Sequence, residues 1–101
     1  MSKPNFLFFI TDQQRYDHVG YAGTPVLKTP NIDWIGENGA ICTSFYATTP
    51  VCSPSRAALV SGRYPQATPV TNNNIPLRED VVTFAEVLRR KGYKTLSLIH
   101  I

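Results

Sequence analysis

With 101 residues, 43% of them hydrophobic, and a net charge of +3, the chain has the composition of a globular protein and the length of one small domain. Its ten Lys and Arg residues are scattered from Lys3 to Lys94 without a long run, which argues against nucleic acid as a partner. No stretch approaches the roughly 18 apolar residues that span a bilayer. The first apolar run begins at Phe6 and leaves no room for a signal peptide, so the expectation is a cytoplasmic protein without a membrane partner.

In chain order, Phe6-Leu7-Phe8-Phe9-Ile10 is a continuous apolar run without alternation, the pattern of a parallel strand covered on both faces. It leads into Thr11-Asp12-Gln13-Gln14-Arg15, and polar residues at the carboxyl end of such a strand lie where open α/β sheets bind ligands. Asp12 offers a carboxylate and Gln13 an amide oxygen, both suited to a hard cation such as calcium or magnesium. Alone, the pair also reads as a polar turn after a strand. Asp17 and His18 follow and read as loop residues rather than further metal ligands.

Ile41-Cys42-Thr43-Ser44-Phe45-Tyr46-Ala47 reads as a second strand, rich in β-branched and aromatic residues, with Cys42 in its core. The two cysteines need not pair. Pro54 has a fixed φ and no amide hydrogen, so it suits the first turn of a helix, and Ala57, Ala58 and Leu59 continue one. Gly62 closes that helix in a left-handed cap.

Thr71-Asn72-Asn73-Asn74 has the composition of a turn, since Asn tolerates positive φ. Thr83 and Glu86 form a capping-box pair, with Val82 and Val87 as the hydrophobic staple. Arg89, Arg90 and Lys91 complement the negative end of that helix, Gly92 stops it, and Tyr93-Lys94-Thr95 begins another parallel strand. Leu96-Ser97-Leu98-Ile99-His100-Ile101 has passable strand alternation. It is also the translation of CTG TCT CTT ATA CAC ATC, a transposon end ligated in a common sequencing-library procedure. On that reading native sequence fills residues 1–95, 96–101 is adapter, and His100 has no role.

The most informative segment is Cys52-Ser53-Pro54-Ser55-Arg56. The expected helix begins just after Cys52, where free backbone N–H groups and the helix dipole favour an anion. Arg56, one turn in, presents a fork of donors to a tetrahedral oxyanion. A thiolate phosphatase requires its arginine six positions after the cysteine, and that position is Ala58. A plain buried thiol before an ordinary helix is the bland alternative.

The pentapeptide matches C-x-P-x-R and resembles the signature of the sulfatase family. Asp12-Gln13 resembles the Asp-Gln branch of that family, near choline-sulfatase-like enzymes and phosphonate monoester or phosphodiester hydrolases; most sulfatases carry two aspartates there. Thr29-Pro30-Asn31-Ile32-Asp33-Trp34-Ile35-Gly36-Glu37-Asn38-Gly39 resembles a family helix, with Ile32 and Ile35 expected on the sheet. Ser61-Gly62-Arg63-Tyr64 is similar to the family's Gly-x-Tyr segment.

The resemblance implies an α/β, alkaline-phosphatase-like fold with a central, mostly parallel sheet, of which this chain holds the N-terminal portion. It implies a sulfuric ester hydrolase in which Cys52, oxidised to formylglycine by a maturation enzyme, is nucleophile and metal ligand, and Arg56 steadies its hydrate. Asp12 and Gln13 would hold a divalent cation, calcium first, with magnesium or manganese as alternatives. Asn73 matches the residue that contacts the sulfate or phosphate group in the Asp-Gln branch. The alternatives are a phosphonate monoester or phosphodiester hydrolase on the same scaffold, and a non-catalytic binding fragment with unmodified Cys52.

Overall fold

Three α-helices and two short 3-10 turns form in a computed structural model that describes residues 3–98. The chain divides after Ser44 into two compact units. Among the described residues there is no β-strand. The strands expected at 6–10, 41–47 and 93–95, and with them the central sheet of the α/β expectation, are therefore not formed here.

A parallel strand gains its stability from ladders to neighbours on its edges and from helices covering its faces. Without those neighbours the apolar run stays irregular, with Leu7 94% and Phe9 82% exposed. Leu96 and Leu98 are likewise exposed. Of the six residues read as adapter-derived, Ile99, His100 and Ile101 lie outside the described residues.

In the first unit, α1 spans Pro30–Asn38, with Pro30 in the position where its missing N–H is not needed. Asn38 Nδ2 donates to the Trp34 carbonyl at 2.9 Å, a side-chain bond back onto the preceding turn. Ile35 is 65% exposed and Ile32 half-buried, so the expected packing of both on a sheet is not observed.

What holds this unit is polar. Thr29 Oγ1 accepts from the Gly20 amide at 2.8 Å and donates to Asp33 Oδ1 at 2.9 Å, while the same carboxylate oxygen accepts from the Tyr21 amide at 2.9 Å. These bonds tie the 3-10 turn Gly20–Ala22 to the start of α1. A Cβ on Gly20 would collide with the Asp33 carboxylate, which hydrogen bonds hold in place. Gly20→Ala is accordingly expected to lower stability by about 1–3 kcal/mol, checked by urea unfolding of the full-length protein; an unchanged midpoint would show that the carboxylate moves aside freely.

In the second unit, α2 spans Cys52–Ser61 and buries Pro54, Ala57 and Ala58. Around that face lie Val70, Val81, Pro65 and Thr68, all buried, and the Thr68 hydroxyl donates to the Pro65 carbonyl at 3.2 Å. Gly62 ends α2 as expected, with φ of 66° and its amide on the Ala58 carbonyl at 2.8 Å.

Helix α3, Phe84–Arg90, packs against α2. Its N-cap Thr83 Oγ1 accepts from the Glu86 amide at 3.3 Å. The Glu86 carboxylate accepts from Arg90 Nη2 at 2.6 Å, so the second half of the expected capping box is traded for an ion pair one turn on. At the other end the Gly92 amide reaches the Arg89 carbonyl at 2.9 Å and the Tyr93 amide the Leu88 carbonyl at 3.1 Å, with Gly92 at φ of 85°. That is the Schellman pattern the glycine foreshadows. No helix among the described residues is long and apolar enough to cross a membrane.

Candidate active site

Cys52 is the first residue of α2 rather than the residue before it, and its side chain is exposed. Val51 stands at the N-cap in extended conformation and supplies no side-chain acceptor. A helix start leaves its first N–H groups unpaired, and here they are disposed of one by one. The Val51 amide reaches Thr49 Oγ1 at 3.5 Å, a long contact. Ser53 donates to Asn73 Oδ1 at 3.0 Å. Pro54 has no N–H to satisfy, and the Ser55 amide makes the first intrahelical bond, to the Val51 carbonyl at 3.0 Å. The amide left facing the helix end without an assigned acceptor among the described residues is that of Cys52 itself, beside its own side chain. An oxyanion formed on residue 52 would meet the positive end of the dipole.

Arg56 lies one turn along the same helix and is exposed. With Ser53, Ala57, Val60, Val70, Ile75 and Leu77 it lines a shallow cleft of about 240 Å³. The three asparagines divide their work. Asn72 Oδ1 accepts from the Asn73 amide at 2.8 Å, Asn73 caps α2, and Asn74 takes the left-handed conformation with φ of 65°. The structure thus brings Cys52, Arg56 and Asn73 together in the second unit. The supporting contact of Asn72 on the Asn73 amide was not legible in the sequence, where the run reads as a turn.

Asp12 and Gln13 belong to the first unit, both exposed, in the segment that follows the apolar run. Gln13 has φ of 51°, a left-handed conformation uncommon for glutamine. Both present oxygen donors, the chemistry a hard cation takes, and would account for two of the roughly six to eight ligands of a calcium ion. Among the described residues no three His, Cys, Asp or Glu side chains gather around one point. Cys42, expected in a core, is exposed, since the strand that would bury it is absent.

The loop reading of Asp17 and His18 agrees with the geometry. Arg15 holds both carboxylate oxygens of Asp17, through Nε at 2.9 Å and Nη2 at 2.7 Å, and His18 Nδ1 lies 2.9 Å from Oδ1. Hydrogen bonds from Arg15 and then from His18 hold the Asp17 carboxyl well below the ordinary carboxylate range. A depressed folded value means that the clamp contributes at neutral pH and is lost only as acidification passes through that lowered value. Arg15→Ala should return Asp17 toward ordinary titration, read by carboxyl-carbon NMR. A midpoint that stays low would assign the shift elsewhere.

Comparison with known proteins gives this geometry its class. The family model described as Sulfatase matches residues 4–100. An ulvan-active sulfatase of Formosa agariphila is 38% identical over 94 residues, covering 93% of this chain and 18% of the relative. Arylsulfatase A of Bos taurus is 39% identical over 102 residues, covering 93% and 20%, and human steryl-sulfatase is 33% identical over 105 residues, covering 93% and 18%. No solved structure matches. The chain spans about a fifth of the length of these curated relatives. The chain belongs to the sulfatase family.

Proposed function

We propose that this chain is the opening part of a sulfuric ester hydrolase whose nucleophile is formylglycine made from Cys52. The observation that carries the reading is the placement of Cys52, exposed at the first position of α2 with its own amide left as a donor and Arg56 one turn on. When formed, the aldehyde hydrate supplies one hydroxyl to attack sulfur and a second whose deprotonation releases sulfate.

The helix end favours the negative charge that builds on residue 52 and on the sulfuryl oxygens. Arg56 offers the same oxygens several donors in one plane. Asp12 and Gln13 would hold a divalent cation, calcium first, which polarises those oxygens. In the complete domain the apolar run 6–10 becomes a strand of the alkaline-phosphatase-like sheet and delivers Asp12 and Gln13 to its carboxyl end. Sulfate esters of small alcohols, phenols or sugars are the substrate class, and a formylglycine-generating enzyme is the required partner.

Mass spectrometry of the tryptic peptide containing Cys52 tests this, after expression of the full-length protein with a formylglycine-generating enzyme. The expected result is a loss of about 18 Da, from thiol to aldehyde. A thiol that persists while a control sulfatase matures would move the assignment to a non-catalytic chain.

Gln13 favours a second reading, a phosphonate monoester or phosphodiester hydrolase, because the Asp12-Gln13 pair resembles the branch of the family that includes such hydrolases. The relative rates on an aryl sulfate and an aryl phosphonate monoester separate the two. On the sulfatase reading the sulfate is preferred.

A further inference from the structure

We infer that Asn73 is a positioning residue for residue 52: it caps the signature helix from across twenty residues of chain and so fixes the turn on which the nucleophile is mounted. The inference deepens the hydrolase reading above, and its kinetic half rests on that reading.

A helix start needs a side-chain acceptor, and valine at the N-cap has none. The acceptor comes instead from Asn73 Oδ1, 3.0 Å from the Ser53 amide. Ser53 is directly bonded to residue 52, so this contact holds the N–H side of the Cys52–Ser53 peptide, whose carbonyl belongs to α2. An N-cap acceptor takes the amide of the second or third helical residue; Pro54, the third, has none, so Ser53 carries the one N–H of the two through which such a cap can act.

Asn73 is in turn held by its neighbours, its amide by Asn72 Oδ1 at 2.8 Å and its exit from the turn by Asn74 at φ of 65°. The run is therefore built to place one side-chain oxygen. With that oxygen committed to Ser53, the amide's remaining protons are donors, compatible with an anion at the helix end, where a carboxylate at position 73 would repel one.

That difference supplies the test. In the full-length protein, Asn73→Ala removes the cap, whereas Asn73→Asp keeps an acceptor for Ser53 but brings a negative charge. Hydrogen exchange at the Ser53 amide should be about tenfold faster in the alanine variant, the size of a lost N-cap, and unchanged in the aspartate variant. Should alanine loosen the whole unit, exchange rises along α3 as well, and the aspartate variant still reports on the cap.

On an aryl sulfate, the alanine variant should lose kcat about tenfold with a smaller change in KM, as expected when the reacting group is misplaced while substrate still binds. The aspartate variant should lose clearly less kcat than the alanine variant and show a raised KM. Unchanged Ser53 exchange in Asn73→Ala would overturn the inference. So would an aspartate variant that protects Ser53 yet loses kcat as fully as alanine does, since that result assigns Asn73 to substrate contact alone. If the wild-type protein hydrolyses no sulfate ester, the hydrolase reading fails, and the exchange comparison decides the capping role by itself.

Discussion

Cys52→Ala in the full-length, matured protein is expected to lose turnover of an aryl sulfate by a factor on the order of 10⁴ or more, the scale seen when a covalent nucleophile is removed. The fold should survive the change. Cys52 is exposed at the first helical position, where the side chain fills no core, and exposed substitutions of this kind usually cost within about 0.5 kcal/mol. Helix propensity even favours alanine there. Loss of rate with an unchanged unfolding midpoint would therefore isolate the chemistry of residue 52 from its packing. Arg56 remains in place in this variant, so any residual rate measures what the helix end and the guanidinium achieve without a nucleophile. Turnover within tenfold of wild type would remove residue 52 from the reaction and with it the formylglycine reading.

The second large effect concerns the 101-residue chain on its own, which is expected to show no cooperative unfolding in urea and to bind a hydrophobic dye strongly. Among the described residues, the buried hydrophobic ones are Val19, Ala57, Ala58, Val70 and Val81, all small. The large apolar residues, Phe6 to Ile10, Trp34, Phe45 and Tyr46 among them, face solvent. Ordering a residue costs about 1–2 kcal/mol in backbone entropy, and five small side chains cannot offset that along the chain. The helices are seven to ten residues long, below the roughly 12–15 at which an isolated helix becomes marginally stable. A sharp urea transition with a slope of about 1 kcal/mol/M or more would show that the two units hold more structure than their buried surface accounts for.

The local signals of this sequence proved more legible than the distant ones. Gly62 and Gly92 stop their helices, and Thr83 starts one, because such caps are decided within a few residues. The motif at Cys52 likewise announces a helix start through Pro54. Residues 6–10, 41–47 and 93–95 carry strand composition without becoming strands, since a strand exists only against neighbours that its own residues do not encode. Ile35 and Cys42 were placed in a core for the same reason and lie exposed.

The candidate site divides along the same line. Cys52 and Arg56 follow from five consecutive residues, whereas the bond between Ser53 and Asn73 joins positions twenty apart and has no periodic signature. Asp33 illustrates a different gap: its residue type suggests surface solvation, but its carboxylate is the knot that ties Tyr21 and Thr29 to α1.

The buried face of α2 is a proline ring and two alanine methyls. Side chains this short have no rotamers through which to yield, so on the helix's own side the seat of residue 52 is set close to the backbone, as a bearing is set by its race rather than by padding. Ala58 is then the adjusting screw: an added methyl at this buried position has to be accommodated by a shift of the helix or of its neighbours, and residue 52 rides on that helix.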